Sequence, residues 1–264
     1  MAKTNSKESK PQPLKRSGKK AKAESMSQLI NKIKRLPLGS LAYIETHEQL
    51  KKKIESKYPN QYVLCVPNKY VVHDKTDKDM LANMDEYTSY DPRIFYNNRS
   101  FAEDINRFSF ESRGDCEYNL MFKQVNVMGY ITDGTKYIVL RKITNKELGF
   151  VGGHVDYSFE ACQMNQMEYL QLSLQHEIDE EINHGNLLHA PSEYQCILNT
   201  NEKVNDTFHI GVMYRIVVDS VDEVMEHIET GEPEKHMVIK FDSKDELMAY
   251  DKKHNWFNKI AKHI

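Results

Sequence analysis

The stretch His176-Glu177-Ile178-Asp179-Glu180-Glu181, reached through Gly149-Phe150-Val151-Gly152-Gly153-His154, constrains this chain more than any other part of it. At about 100° per residue, Leu170, Leu174, Ile178 and Ile182 form one apolar helical stripe. Glu177 and Glu181 fall on the edge of that stripe, and Glu180 lies a little further round. Carboxylates crowded along a buried border repel and raise one another's pKa unless a cation sits among them. Oxygen ligands of this kind suit Mg²⁺, with Mn²⁺ as a substitute. The plain alternative is a solvated acidic helix end. What precedes the helix argues against it: strand-like runs Val125–Ile131 and Tyr137–Arg141 flank Asp133-Gly134, a dipeptide that predicts a type I′ hairpin. A hairpin, a Gly-Gly at a strand end and an acidic helix make an ordered constellation.

That constellation resembles the Nudix hydrolases. Their signature runs glycine, five residues, glutamate, seven residues, then arginine-glutamate-aliphatic-any-glutamate-glutamate, any, glycine, aliphatic. Gly153 matches the opening glycine, Glu168 the first glutamate, and Glu177, Ile178, Asp179, Glu180 and Glu181 the core of the signature. The likeness extends from about Tyr62 to the C-terminus. Gly152-Gly153-His154 with Asp156, after Lys123-Gln124, is similar to a bacterial and phage-type group with a longer spacer. Three departures stand out: nine more residues lie between Gly153 and Glu168 than in the signature, His176 replaces the arginine, and Asn183 replaces the glycine, with Gly185 two positions on.

The resemblance implies an α/β fold, a Nudix-type α/β/α sandwich with a mixed sheet. It implies a Mg²⁺-dependent pyrophosphohydrolase that cleaves a nucleoside diphosphate derivative: a nucleotide, a nucleotide conjugate or a capped RNA end. Glu177, Glu180 and Glu181 would ligate the metal beside the Gly153 backbone, with Glu177 as the general base. His176 would orient Glu177 through one hydrogen bond where arginine would offer two. Glu168 would support the loop, and Gly152, Gly153, His154 and Arg141 would contact substrate. Glu232 and Glu234 are candidates for a further ligand from a later loop. The rival class is a catalytically weakened Nudix-fold module that binds a nucleotide or nucleic acid. A zinc protease is disfavoured, because His176-Glu177 is followed by Glu180 where a histidine would be needed.

The chain has 264 residues, 39% of them hydrophobic, enough for one sizeable core. Cys65, Cys116, Cys162 and Cys196 are widely spaced and suggest neither a disulfide framework nor a zinc site. Without an apolar leader or a run of roughly 20 apolar residues, no membrane segment is expected, and a cytoplasmic setting fits. Residues 1–25 carry eight Lys/Arg against Glu8 and Glu24, a charge of +6 in a chain of −3, so the remainder carries −9. This tail reads as disordered and basic: either a solubilising terminus or an arm that attracts RNA.

The expected organisation is the tail 1–25, an N-terminal elaboration 26–115 packed on the core, and a Nudix-like domain 116–264. Helices are predicted at Met26–Leu36 and Thr46–Lys57 with a strand Leu41–Ile44 between them, and strands at Tyr62–Pro67 and Lys69–Val72. The polar-aromatic stretch that follows includes Tyr87–Tyr96 and a helix Phe101–Phe108. Ser158 is the expected cap of the acidic helix. Strands Glu193–Thr200, Phe208–Val218 and Val238–Phe241, a helix Ser220–Ile228 and a closing helix Asp245–Ile264 complete the reading.

Overall fold

A computed structural model describes residues 23–67, 93–95, 109–158, 160, 163–182, 190–199, 208–251, 256–260 and 264. Residues 1–22 of the basic tail, the strand Lys69–Val72, the helix Phe101–Phe108, Cys162, Asn183 and Gly185 lie outside them.

Two capped helices open the fold. Helix α1 (Met26–Ile33) starts at a capping box formed by Ser25 and Gln28, and α2 (Leu41–Lys57) starts at Ser40, whose hydroxyl accepts the Tyr43 N–H. The expected strand Leu41–Ile44 is therefore the first turn of α2. The cap sets the helical phase, which buries Tyr43 and leaves Leu41 and Ile44 exposed. Leu29, Ile33, Tyr43, Leu50 and Ile54 then pack with Tyr118 and Phe208 into one apolar cluster.

The remaining elements are β1 (Tyr62–Pro67), β2 (Arg93–Phe95), β3 (Ser109–Ser112), α3 (Arg113–Cys116), β4 (Phe122–Thr132), β5 (Tyr137–Lys142), β6 (Leu148–Gly149), α4 (Gln166–Ile182), β7 (Ser192–Asn199), β8 (His209–Val217), α5 (Val221–His227), β9 (His236–Phe241), α6 (Lys244–Asp251) and α7 (Trp256–Lys259). Among the described residues the strands form one open sheet in the order β2-β7-β8-β4-β1-β3, with β5 pairing β4 and carrying β6 and β9. Strands β4 and β8 run parallel from Gln124↔His209 to Thr132↔Val217, and the other pairings are antiparallel, so the sheet is mixed.

Alternation along β4 sorts its side chains between two cores. Val125, Val127 and Ile131 face α4, where Leu170, Leu174, Ile178 and Ile182 meet Ile210, Val212 and Ile216 of β8. Met128 and Tyr130 face the other way, towards Leu247 of α6 and Phe257 of α7. Helices on both faces of a mixed sheet give the expected α/β sandwich. No described helix is long and apolar enough to cross a membrane.

Three local expectations are corrected. The β4–β5 connection is not a two-residue type I′ turn: only Gly134 has a positive φ, and the Asp133 carboxylate accepts from the Thr135 and Lys136 N–H groups and the Thr135 hydroxyl. Asp133 thus folds a four-residue link around its own side chain. The closing helix is resolved into α6 and α7, with residues 252–255 outside the described residues. Helix α4 begins at Gln166, not near Ser158: Asn165 Oδ1 accepts the Glu168 N–H at 3.0 Å and Glu168 accepts the Asn165 N–H at 3.3 Å.

A short extended segment, residues 151–157, fills the gap where β1 and β4 diverge. Val151 exchanges two backbone hydrogen bonds with Gly129 of β4, Gly153 accepts from Val127, and Val155 donates to Val125. On the other edge Leu64 donates to Val155 and Tyr157 donates to Tyr62 of β1. This wedge places Gly152 and Gly153.

Candidate active site

Helix α4 buries Leu170, Leu174, Ile178 and Ile182, which leaves Glu177 and Glu181, one turn apart, on the border facing the wedge. The two consecutive glycines receive them. The Gly152 N–H donates to Glu181 Oε2 at 2.8 Å. A Cβ on Gly153 would overlap the Glu177 carboxylate, and one on Gly152 would overlap the Val127 carbonyl oxygen. Gly152 also has φ +147°, a conformation that favours a residue without Cβ. Gly152 thus allows the close approach of the wedge to β4, and Gly153 leaves room for the Glu177 carboxylate.

A third segment closes the site. The Gly231 N–H donates to the Glu181 carbonyl at 2.8 Å, and the Thr230 hydroxyl donates to the same oxygen at 3.3 Å. The loop so anchored delivers Glu232 and, at the start of β9, His236. Ligand atoms of Glu181, Glu232 and His236 lie within 4.8 Å of one another. His236 Nδ1 is 3.8 Å from Glu181 Oε1 and 3.9 Å from Glu232 Oε2.

The electrostatics are those of an acidic cluster short of positive charge. Burial, then Glu180, Asp156 and Glu232, push the Glu177 carboxyl up to about 7. Burial, with Glu177 and Glu232, pushes Glu181 up to about 8 against the opposing pull of the Gly152 N–H. Burial lowers the His236 pKa, and its Nδ1 is buried with no hydrogen-bond partner. A neutral imidazole with an orphaned nitrogen beside two carboxylates fits a divalent cation. Among the described residues, Glu181, Glu232 and His236 have ligand atoms close enough to share one, with Glu177 within electrostatic reach of Glu181.

The sequence-predicted residues divide. Glu177, Glu181, Gly152 and Gly153 converge, and Glu232 joins them. Glu180 is exposed, within electrostatic reach of Glu177. His176 is exposed and makes no hydrogen bond to Glu177 among the described residues. Glu168 supports its own helix end: nine residues before Glu177, it stands roughly 13 Å back along α4 at the helical rise. His154 points to the opposite face of the sheet, where its Nε2 is 3.3 Å from that of His209. Arg141 reaches Met237 Sδ at 3.1 Å and Tyr250 Oη at 3.4 Å on the α6 side. Glu234 is exposed. His236 was missed by sequence reasoning. No spacing links it to α4; the Gly231 and Thr230 anchors and the β5–β9 pairing, with His236 opposite Lys142, bring it in.

No known family profile matches the chain, and no curated protein matches it. Among solved structures it is similar to Tm1382, a candidate Nudix hydrolase, with TM-score 0.53 and 17% identity over 76% of this chain and 95% of that one. It is also similar to a MutT Nudix hydrolase from Burkholderia pseudomallei, with TM-score 0.34 and 14% identity over 49% of this chain and 96% of that one. A Nudix-family hydrolase from Clostridium perfringens gives TM-score 0.29 and 11% identity over 49% and 95% of the two chains. The Tm1382 likeness is one of architecture, and it agrees with the glycine and glutamate placement above: the chain has the fold of the Nudix hydrolases.

Proposed function

We propose that this protein is a divalent-metal-dependent hydrolase of phosphoric anhydrides, acting on a nucleoside diphosphate derivative. The observation that carries the reading is the docking of Glu177 and Glu181 on Gly152-Gly153, with Glu232 and His236 closing the same space. Glu181, Glu232 and His236 would hold the cation, with Glu177 beside them. When bound, the cation neutralises diphosphate charge and lowers the pKa of a coordinated water. Glu177 would act as general base, taking the proton of a water whose oxygen attacks phosphorus as the phosphorus–oxygen bond to the leaving phosphate breaks. Gly152 and Gly153 keep the backbone bare where the diphosphate would lie. The imidazole in the donor set favours Mn²⁺ over Mg²⁺, since nitrogen ligands suit the transition metal better.

A cytoplasmic setting and RNA attraction by the basic tail belong to the same proposal and rest on the sequence. The non-catalytic reading draws on His176, which is exposed and leaves Glu177 without the partner an arginine would supply. One experiment separates the two: turnover of a panel of nucleotide diphosphates with Mn²⁺ or Mg²⁺, for wild type, Glu177→Gln and Glu181→Gln. Turnover lost in both variants supports the reaction. Cation binding without turnover in the wild type supports the binding module.

A further inference from the structure

Across the sheet from the acidic site, β4 turns Gln124 and Asn126 away from α4, since Val125 and Val127 fill the α4 side. The two amides lie between apolar neighbours: Met128 and Tyr130 under α6 and α7, and Cys65 with Cys116 by α3. Gln124 is 1% exposed, yet neither its Nε2 nor its Oε1 has a hydrogen-bond partner, and Asn126 Oδ1 is likewise buried and unpartnered. Buried amide atoms almost always find partners, and leaving them without costs the full desolvation of each group. Three such atoms on adjacent same-face positions of one strand point to a ligand.

Two imidazoles roof the pair. His209 is level with Gln124 on β8, and His154 is opposite Asn126 on the wedge. They reach over β4 from its two edges, with ring centroids 5.3 Å apart and planes at 52°. Burial, His209 and Arg113 hold the His154 pKa at about 3, so the ring it offers is neutral.

We propose that Gln124 and Asn126 read the edge of a nucleobase bearing an exocyclic amino group, admitted where the His154–His209 contact parts. The argument is one of donors and acceptors. The unpartnered atoms supply one donor group, Gln124 Nε2, and two acceptors, Gln124 Oε1 and Asn126 Oδ1. A ligand must return at least two N–H donors and one acceptor. Guanine, adenine and cytosine do so through an amino group and a ring or carbonyl acceptor. Uracil and thymine have a single ring N–H and two carbonyls, which would leave one amide oxygen unpaired. The flat face of the neutral His154 ring suits stacking on the base. The inference rests on the reading of a nucleotide substrate and concerns the sheet face opposite Glu177, with His154 paired to Asn126 while Gly153 lies against the Glu177 carboxylate.

The test uses the full chain, free of metal, with guanosine, adenosine, cytidine and uridine as separate ligands, followed by calorimetry or NMR titration. The amino-bearing nucleosides should bind at least tenfold more tightly than uridine. Gln124→Leu should erase that preference and raise the melting temperature of the unliganded protein, because it removes two unsatisfied buried atoms. Should Gln124→Leu not fold, Asn126→Leu supplies the same two readouts. Uridine binding as well as the others, no nucleoside binding, or a Gln124→Leu that lowers the melting temperature with nucleoside affinities unchanged would each overturn the proposal. Wild type that hydrolyses diphosphates without binding any nucleoside sinks the ring site alone, and wild type that binds nucleosides without turnover sinks the reaction alone.

Discussion

The two faces of the wedge hold buried polar groups in opposite ways. On the α4 side, Glu177 and Glu181 are titratable carboxyls pressed together, and Glu181 is tied to the Gly152 N–H. On the far side, Gln124 and Asn126 are neutral groups with amide atoms tied to nothing. Both arrangements cost stability in the empty protein, but the penalties respond to different things. Repulsion between carboxylates changes with pH and is relieved by a cation. An unsatisfied amide is indifferent to both and is relieved only by a shaped partner.

The largest expected effect breaks the first side alone. Glu181→Gln and Glu177→Gln should each lower diphosphate turnover on the order of 10²–10⁴-fold, the range for removing a general base or its equivalent. The same variants should stabilise the metal-free protein at alkaline pH. Nucleoside binding at the far face should survive, and a parallel loss there would show that the two faces are one site.

Next in size is Gly152→Ala. Its Cβ would overlap the Val127 carbonyl oxygen in a conformation that alanine resists, so a loss of about 1–3 kcal/mol is expected in denaturant titration. Turnover should fall as well, since the Gly152 N–H that holds Glu181 would move.

A pH series sharpens the contrast. In the fold the Glu177 and Glu181 carboxyls are raised to about 7 and about 8 from an ordinary 4.5. The folded protein therefore keeps protons that the unfolded chain has already lost. Metal-free stability should be greatest below pH 4.5 for these two groups and fall as pH rises through 8. Melting temperature in EDTA should drop by several degrees between pH 5.5 and pH 8.5, and Mn²⁺ at pH 8.5 should restore it. Gln124→Leu should shift both curves equally. A pH-independent melting temperature would remove the acidic cluster from the argument.

Local spacing made part of this legible. The stripe Leu170, Leu174, Ile178 and Ile182, the flanking Glu177 and Glu181, and the Gly-Gly that receives them all follow from helical and strand periods within some thirty residues. What failed depended on caps or on pairing far along the chain. Ser40 turned Leu41–Ile44 into a helix start, and Asn165, bonded reciprocally with Glu168, caps α4 in place of Ser158. His236 enters through the β5–β9 register, and Gln124 meets His209 only because β4 and β8 lie parallel. No window of sequence carries that information.

The smallest effect is a control on both faces. Ser40→Ala removes the α2 cap and should cost about 1 kcal/mol. Neither the cation response nor nucleoside preference should change, and a change in either would tie the N-terminal helices to the site.

The wedge itself works as a calliper. Successive residues of an extended segment project to opposite faces, so Gly153 lies against the acidic side while His154 belongs to the amide side. A single peptide unit thus separates the residue facing the acidic cluster from the residue facing the amides. Adding or deleting one residue between Val151 and Val155 would exchange the faces of everything beyond it. Length can vary only outside that gauge: Tyr157 still pairs with β1, and residues 158–164 separate it from the Asn165 cap of α4.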